Sequence, residues 1–176
     1  MDPALLQGLL AGAGSTGRVV GGLVIALLYA TIGLLGAIGS ITIFRRAFRG
    51  RWEQIVWASF LIMIACFYLG FAAYFAAPAD AWRTELIAVA VFLALGLVGL
   101  FLRPAIAAGY VMHGIWDASH SLSGSSLAGL SITEIPLGYG VFCLAFDLTV
   151  ACYLAMSDTA WHEAGRFDPD FWRPRP

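Results

Sequence analysis

The chain alternates long apolar stretches with short connections that contain arginine, proline, glycine and serine. An α-helix needs about 20 predominantly apolar residues to cross the hydrocarbon core of a bilayer. By that criterion the pattern predicts five membrane-spanning helices and an interfacial C-terminal segment. The predicted spans cover residues 19–44, 52–77, 85–102, 105–122 and 134–156, and the tail covers residues 157–176. The sequence therefore predicts a single membrane domain over residues 1–176, an all-α bundle of five transmembrane helices.

The composition also indicates an integral membrane protein. Hydrophobic residues make up 60% of the chain and charged residues 12%, with a mean hydropathy of +0.83. Soluble domains are about 45–50% apolar and about 25% charged. The net charge is −1, so the chain lacks the basic surface that nucleic-acid binding requires. We expect the lipid bilayer as its environment and no nucleic-acid partner.

The arginine positions predict how the bundle is oriented. The loops after the first and third spans, together with the tail, hold eight of the ten arginines, and the opposite side holds Arg18 and Arg83. Because positive residues concentrate in cytoplasmic loops, the N-terminus should lie outside and the C-terminus in the cytoplasm of a cell membrane. Termini on opposite sides require an odd number of spans, which agrees with five.

The tail combines aromatic residues with arginines. Trp161, Phe167 and Trp172 lie close to Arg166 and Arg173, a composition typical of a segment held at the membrane interface. The alternative is that these aromatic residues bind a partner subunit.

The fourth span is more polar than its neighbours and carries the candidate chemistry. His113, Asp117 and His120 are spaced i, i+4, i+7, so a helix places all three on one side. A charged residue at the bilayer centre costs about 2.5–3.5 kcal/mol on insertion scales, so such residues are usually functional. Asp147, in the fifth span, lies on a face of small residues and is expected to point inward. We predict His113, Asp117 and Asp147 as the catalytic residues.

Further side chains are predicted to line a binding pocket next to these three. An aromatic wall with a few polar groups is the usual lining of a small-molecule pocket. The predicted binding residues are Tyr110, Trp116, His120 and Glu134. For Glu134, and equally for Glu85 after the candidate N-cap Thr84, a favourable interaction with a helix dipole is the competing interpretation.

A divalent metal ion is the cofactor that these residues could hold, and His113, Asp117 and His120 are its candidate ligands. Residues four apart on a helix can share one ion. The two histidines are ~10 Å apart along the axis, so one ion would need a ligand from another helix, such as Asp147 or Glu134. A haem with two histidine ligands is disfavoured, because the third histidine, His162, lies in the tail.

The sequence leaves three classes of function open. The leading hypothesis is an enzyme or binding protein that acts on a small apolar or lipid-like molecule by acid/base chemistry, with or without a metal. The second is proton-coupled transport, since histidine and aspartate residues graded from the surface to the midplane could relay protons. The third is a structural subunit of a homo-oligomer or of a larger membrane complex.

Overall fold

The computed structural model describes the backbone of residues 3–123 and 126–164 and the side chains of residues 17–123 and 126–157. These ranges form five α-helices and a short antiparallel hairpin, in which Ser126 pairs with Ser131 and Leu127 with Leu130. The elements are α1 (Pro3–Ala47), α2 (Arg51–Tyr74), α3 (Ala79–Gly99), α4 (Arg103–Ser123), β1 (Ser126–Leu127), β2 (Leu130–Ser131) and α5 (Leu137–Ala164).

Four of the helices in the described ranges are long and apolar enough to cross a membrane. They are the segments Gly17–Ala47, Arg51–Tyr74, Ala79–Gly99 and Leu137–Ser157. The all-α membrane fold expected from the sequence is therefore confirmed at this level. Helix α4 has 21 residues, the same length as α3, but it contains the two histidines and the aspartate and is less apolar.

Helix α4 lies among other helices, which explains why a polar helix fits in an apolar fold. It packs against α5, α3 and α2, and α5 lies between α4 and α1. Glycines allow close approach: Gly109 packs against Leu61 of α2, and a methyl group at Gly114 would lie 3.2 Å from Cβ of Asp147. Small residues at contacts are typical of helix packing in lipid. The result is that the polar side of α4 faces protein.

The helix boundaries change the interpretation of both glutamates. Helix α3 begins at Ala79, so Thr84 does not cap it, and its hydroxyl instead donates to the carbonyl of Asp80 at 3.0 Å. Glu85 therefore lies inside the helix, where a contribution from the helix dipole is small. Helix α5 begins only at Leu137, which leaves Glu134 exposed on the preceding connection.

Helix α5 continues past the predicted end of the fifth span as far as Ala164. The aromatic and arginine side chains from Trp161 onwards, and with them the predicted interfacial anchor, lie outside the described residues. His162 belongs to the same group, so its side chain plays no part in the description of the site.

The end of the bundle at the start of α2 has a polar network of its own. Tyr153 of α5 donates to Glu53 at 2.5 Å, which connects α5 to α2. Gln54 donates to the carbonyl of Gly99 at 2.7 Å and accepts from Arg103 at 3.1 Å. These bonds fix the short α3–α4 connection against α2. They thereby fix the depth at which α4 presents its central residues.

Candidate functional site

Three side chains meet at the centre of the bundle: His113 and Asp117 of α4 and Asp147 of α5. Nδ1 of His113 lies 2.7 Å from Oδ2 of Asp147 and 3.0 Å from Oδ2 of Asp117. One ligand atom from each residue lies within 4.8 Å of those from the other two. All three side chains are buried, with at most 1% of their surface exposed. We refer to these residues as the triad.

The two aspartates are not equivalent partners of His113. The contact to Asp147 has hydrogen-bond geometry, whereas Oδ2 of Asp117 is close to the ring nitrogen but has no hydrogen-bond partner among the described residues. Nε2, on the other edge of the imidazole, is also buried and without such a partner. Buried polar atoms are nearly always hydrogen-bonded, so two such atoms in one cluster point to something that completes it.

Tyr68 of α2 holds the triad from a third helix. Its hydroxyl donates to Oδ1 of Asp117, so the opposite oxygen of that carboxylate faces His113. The Tyr68 ring lies 5.9 Å from the His113 ring and 4.9 Å from the His120 ring. Tyr68 is thus in contact with both histidines of α4.

The charges of the triad do not cancel within the protein. One imidazole carries at most one positive charge, and it faces two carboxylates. Two like charges no more than 4.8 Å apart repel by at least roughly 3.5 kcal/mol at an effective dielectric constant of about 20. The chain has no lysine, and Arg103, the arginine on the same helix, is about 15 Å from His113 along the axis. The cluster therefore needs either additional protons or a cation.

The second histidine of α4 is in a different environment. Nδ1 of His120 lies 2.9 Å from the carbonyl of Trp116, which accepts only, so this nitrogen carries a proton. Nε2 lies 2.9 Å from Oε1 of Glu85, which also accepts from the backbone N–H of Thr133 at 2.9 Å. We refer to His120 and Glu85 as the pair. The pair connects α4, α3 and the segment after the hairpin.

An apolar cavity of about 330 Å³ lies next to the triad, between α3 and α4 and under the hairpin. Phe92 lines this cavity and is also in edge-to-face contact with His113, with ring centroids 5.0 Å apart. Trp116 lines it too, and its Nε1 has no hydrogen-bond partner in the described part of the chain. The remaining lining residues are Thr84, Ile87, Ala88, Val91, Met112 and Leu130. The cavity is therefore an apolar groove between α3 and α4, and Phe92 contacts both the groove and His113.

The predicted residues fall into separate groups. The predicted catalytic set His113, Asp117 and Asp147 comes together. The metal-ligand set predicted with His120 does not, because Nε2 of His120 contacts Glu85 and Asp147 takes the third position. Among the predicted binding residues, Trp116 lines the cavity and His120 lies beside it.

Two of the predicted binding residues lie away from the cavity. Tyr110 is buried, donates from its hydroxyl to the carbonyl of Trp57 at 3.0 Å, and packs against that indole. Glu134 is exposed and does not belong to the triad. Glu134 precedes the start of α5 at Leu137, so its exposed side chain is more consistent with a position at the surface than with ligand binding in the cavity.

Sequence reasoning missed Tyr68 and Phe92. A tyrosine in the interior of an apolar helix, rather than near its ends where the aromatic belts lie, was the available signal for Tyr68. No sequence signal singled out Phe92, because phenylalanine is common throughout the spans.

Residues 18–160 match a family of unknown function, DUF6010. Because the match covers most of the 176 residues, the chain belongs to this family. No curated protein and no solved structure matches the chain.

Proposed function

We propose that this protein is a membrane-embedded acid/base enzyme that acts on a small apolar or lipid-like molecule. The observation that carries the proposal is the buried triad of His113, Asp117 and Asp147 next to an apolar cavity. Ionisable groups at this depth are costly and usually functional. An apolar cavity with few polar groups is the usual form of a small-molecule site.

The ligand would enter the cavity from the side, between α3 and α4. Its lining residues are apolar except for Thr84, whose hydroxyl already donates to the carbonyl of Asp80. The indole N–H of Trp116 is buried and has no partner among the described residues, so a turn of this ring would bring a donor to a ligand with one acceptor, such as an alcohol, ether or carbonyl. Rotation of Phe92 would then expose His113 to the bound molecule.

His113 would exchange the proton. With a proton on Nδ1, donated to Asp147, the unpartnered Nε2 is the basic nitrogen. The carboxylates hold the ring orientation and stabilise the imidazolium that forms when Nε2 takes a proton. Asp147 and Asp117 then act as positioning residues through His113. Such a dry acid/base group suits isomerisation, cyclisation or hydration of an isoprenoid-like molecule.

The proposal includes α4 as a fifth membrane span. Its 21 residues extend about 30 Å, enough to cross the hydrocarbon core, and its polar side faces protein rather than lipid. The arginine distribution then supports an outside N-terminus and a cytoplasmic C-terminus. The hairpin and the mouth of the cavity would lie towards the outer face. The single membrane domain over residues 1–176 is part of the same proposal.

Reconstitution of the purified protein tests this function. Phosphatidylcholine vesicles would carry farnesol, squalene and oleic acid as probes, and chromatography with mass spectrometry would measure retained and converted material. We expect one probe to be retained and converted. Ala88→Phe, which fills the cavity, should reduce retention at least about tenfold, and Asp147→Asn should abolish conversion while retention persists.

The matched control is Ala94→Phe, on the same helix at an exposed position that lines neither this cavity nor the neighbouring one around Trp82 and Leu86. It should leave retention and conversion unchanged. Equal retention by the two phenylalanine variants, or no retention by the wild type, would overturn the proposal.

Proton transport is the second candidate, and the position of Tyr68 favours it. The Tyr68 ring contacts His113 and His120, and its hydroxyl contacts Asp117, so the triad and the pair are adjacent through one side chain. Proton flux across the same vesicles without conversion of any probe would support this candidate over the enzyme.

A further inference from the structure

We infer that His113, Asp117 and Asp147 bind one divalent transition-metal ion through Nδ1 of His113 and one oxygen of each carboxylate. The inference deepens the proposed function and rests on the same site. It differs from the ligand set predicted from the sequence, because Asp147 of α5 replaces His120.

The donor atoms already face one another. Nδ1 of His113 lies 2.7 Å and 3.0 Å from the two Oδ2 atoms. Donors bound to one ion at about 2.1 Å are roughly 3.0–3.4 Å apart, so Nδ1 needs to move away from each carboxylate oxygen by less than about 1 Å. One nitrogen and two oxygens suit zinc or manganese. Three protein ligands leave a coordination position open for water or a ligand, as in catalytic sites.

The unpartnered oxygen of Asp117 is an independent observation in favour of an ion. Oδ2 of Asp117 is buried, lies 3.0 Å from Nδ1 of His113, and has no hydrogen-bond partner among the described residues. Tyr68 occupies only Oδ1. A hydroxyl that orients one carboxylate oxygen and leaves the other free towards the ion is a common support for a metal ligand.

Charge neutrality also favours a divalent ion. Two ionised carboxylates and a neutral imidazole carry a charge of −2, which a divalent ion cancels. The pair of His120 and Glu85 does not offer this arrangement, because it has one carboxylate and both nitrogens of His120 are engaged. A metal ion is therefore expected at the triad and not at the pair.

A bound metal changes how the site handles protons. Coordination through Nδ1 would place the imidazole proton on Nε2, which would then be a donor and no longer a base. A bound divalent ion would supply a proton-exchanging water at its open position, because a metal lowers the pKa of bound water. The cluster keeps its acid/base role, with the metal-bound water in place of Nε2.

Metal titration of the full-length protein in detergent tests the inference. After chelation and removal of the chelator, the protein would be titrated with Zn²⁺ alone and with Mn²⁺ alone. Elemental analysis would give the stoichiometry, and electron paramagnetic resonance would report bound Mn²⁺. We expect one ion per chain and a thermal midpoint that rises with metal concentration.

Asp147→Asn and Asp117→Asn should weaken binding at least about 100-fold, because each removes a charged ligand. Glu85→Gln is the matched control: it removes a buried carboxylate that contacts the other histidine of α4, and it should retain one ion per chain. A wild type that binds no metal, or aspartate variants that bind as tightly as Glu85→Gln, would overturn the inference.

The two proposals fail separately. A wild type that binds no metal in the titration and yet converts a probe would overturn the metal site and leave the enzyme standing. One bound ion without retention or conversion of any probe would leave the metal site standing and overturn the proposed function.

Discussion

The triad and the pair use the same residue types on the same helix, yet their chemistry differs. The pair matches one imidazole to one carboxylate, and both nitrogens of His120 have partners. The triad matches one imidazole to two carboxylates and leaves Nε2 of His113 unpartnered. The two clusters therefore differ in the number of carboxylates that face one histidine, and the proposed function rests on the cluster with two.

The pair can be neutral with a single shared proton. Its additional bond to the backbone of Thr133 fixes the segment before α5 to α3. These are features of a structural contact, although Oε2 of Glu85 has no partner among the described residues. The triad has an excess of negative charge in a buried place. Functional sites often retain such unfavourable arrangements at a cost in stability.

The largest effect on stability is expected at the pair. His120→Ala would leave the buried carboxylate of Glu85 with the backbone N–H of Thr133 as its remaining partner, and breaking a buried ion pair typically costs about 3–5 kcal/mol. We expect a loss of that size in the free energy of unfolding, measured by denaturant titration in mixed micelles.

Leu122→Ala, at an exposed position on the same helix, is the control and should change the free energy by less than about 0.5 kcal/mol. If His120→Ala changed the free energy of unfolding as little as this control does, the contact between His120 and Glu85 would not stabilise the fold.

An intermediate effect is expected at Tyr68. Tyr68→Phe removes the hydroxyl that donates to Oδ1 of Asp117, and a buried acceptor left unsatisfied costs about 1–3 kcal/mol. The same variant should weaken metal binding by about 10–100-fold, because it removes the support of one ligand. Unfolding and metal titrations on the same preparation would measure both quantities.

Tyr74→Phe provides the matched control, since Tyr74 lies on the same helix and is 81% exposed. It should match the wild type in both measurements. Metal affinity unchanged in Tyr68→Phe would show that Tyr68 does not orient Asp117 for an ion.

The sequence predicts some of these features better than others. The apolar runs predict five spans, and four of the helices in the described residues are long and apolar enough to span a membrane. The i, i+4 spacing places His113 and Asp117 together. A separation of seven residues corresponds to about 10 Å along a helix, so His120 reaches a different partner. The role of that partner, Glu85, could not be predicted, because the sequence placed the start of α3 at residue 85. A role in the helix dipole was then as plausible as a contact with His120.

The contributions of α2 and α3 could not be predicted. Both helices are apolar on most sides, so the sequence does not specify which side faces α4. The positions of Tyr68 and Phe92 depend on that rotation, which is set by packing such as that of Gly109 against Leu61. Close packing of this kind becomes visible only in three dimensions.

The smallest effect on stability, with the opposite sign to the others, is expected for Asp147→Asn in chelated protein. Asparagine has nearly the shape of aspartate and can still accept from His113, while the repulsion between two carboxylates disappears. The free energy of unfolding should therefore change by less than about 1 kcal/mol or increase. A loss of about 3 kcal/mol, as expected for His120→Ala, would place Asp147 in a structural contact like that of the pair. An unchanged or increased stability together with lost metal binding would establish that the second carboxylate of the triad serves the site and not the fold.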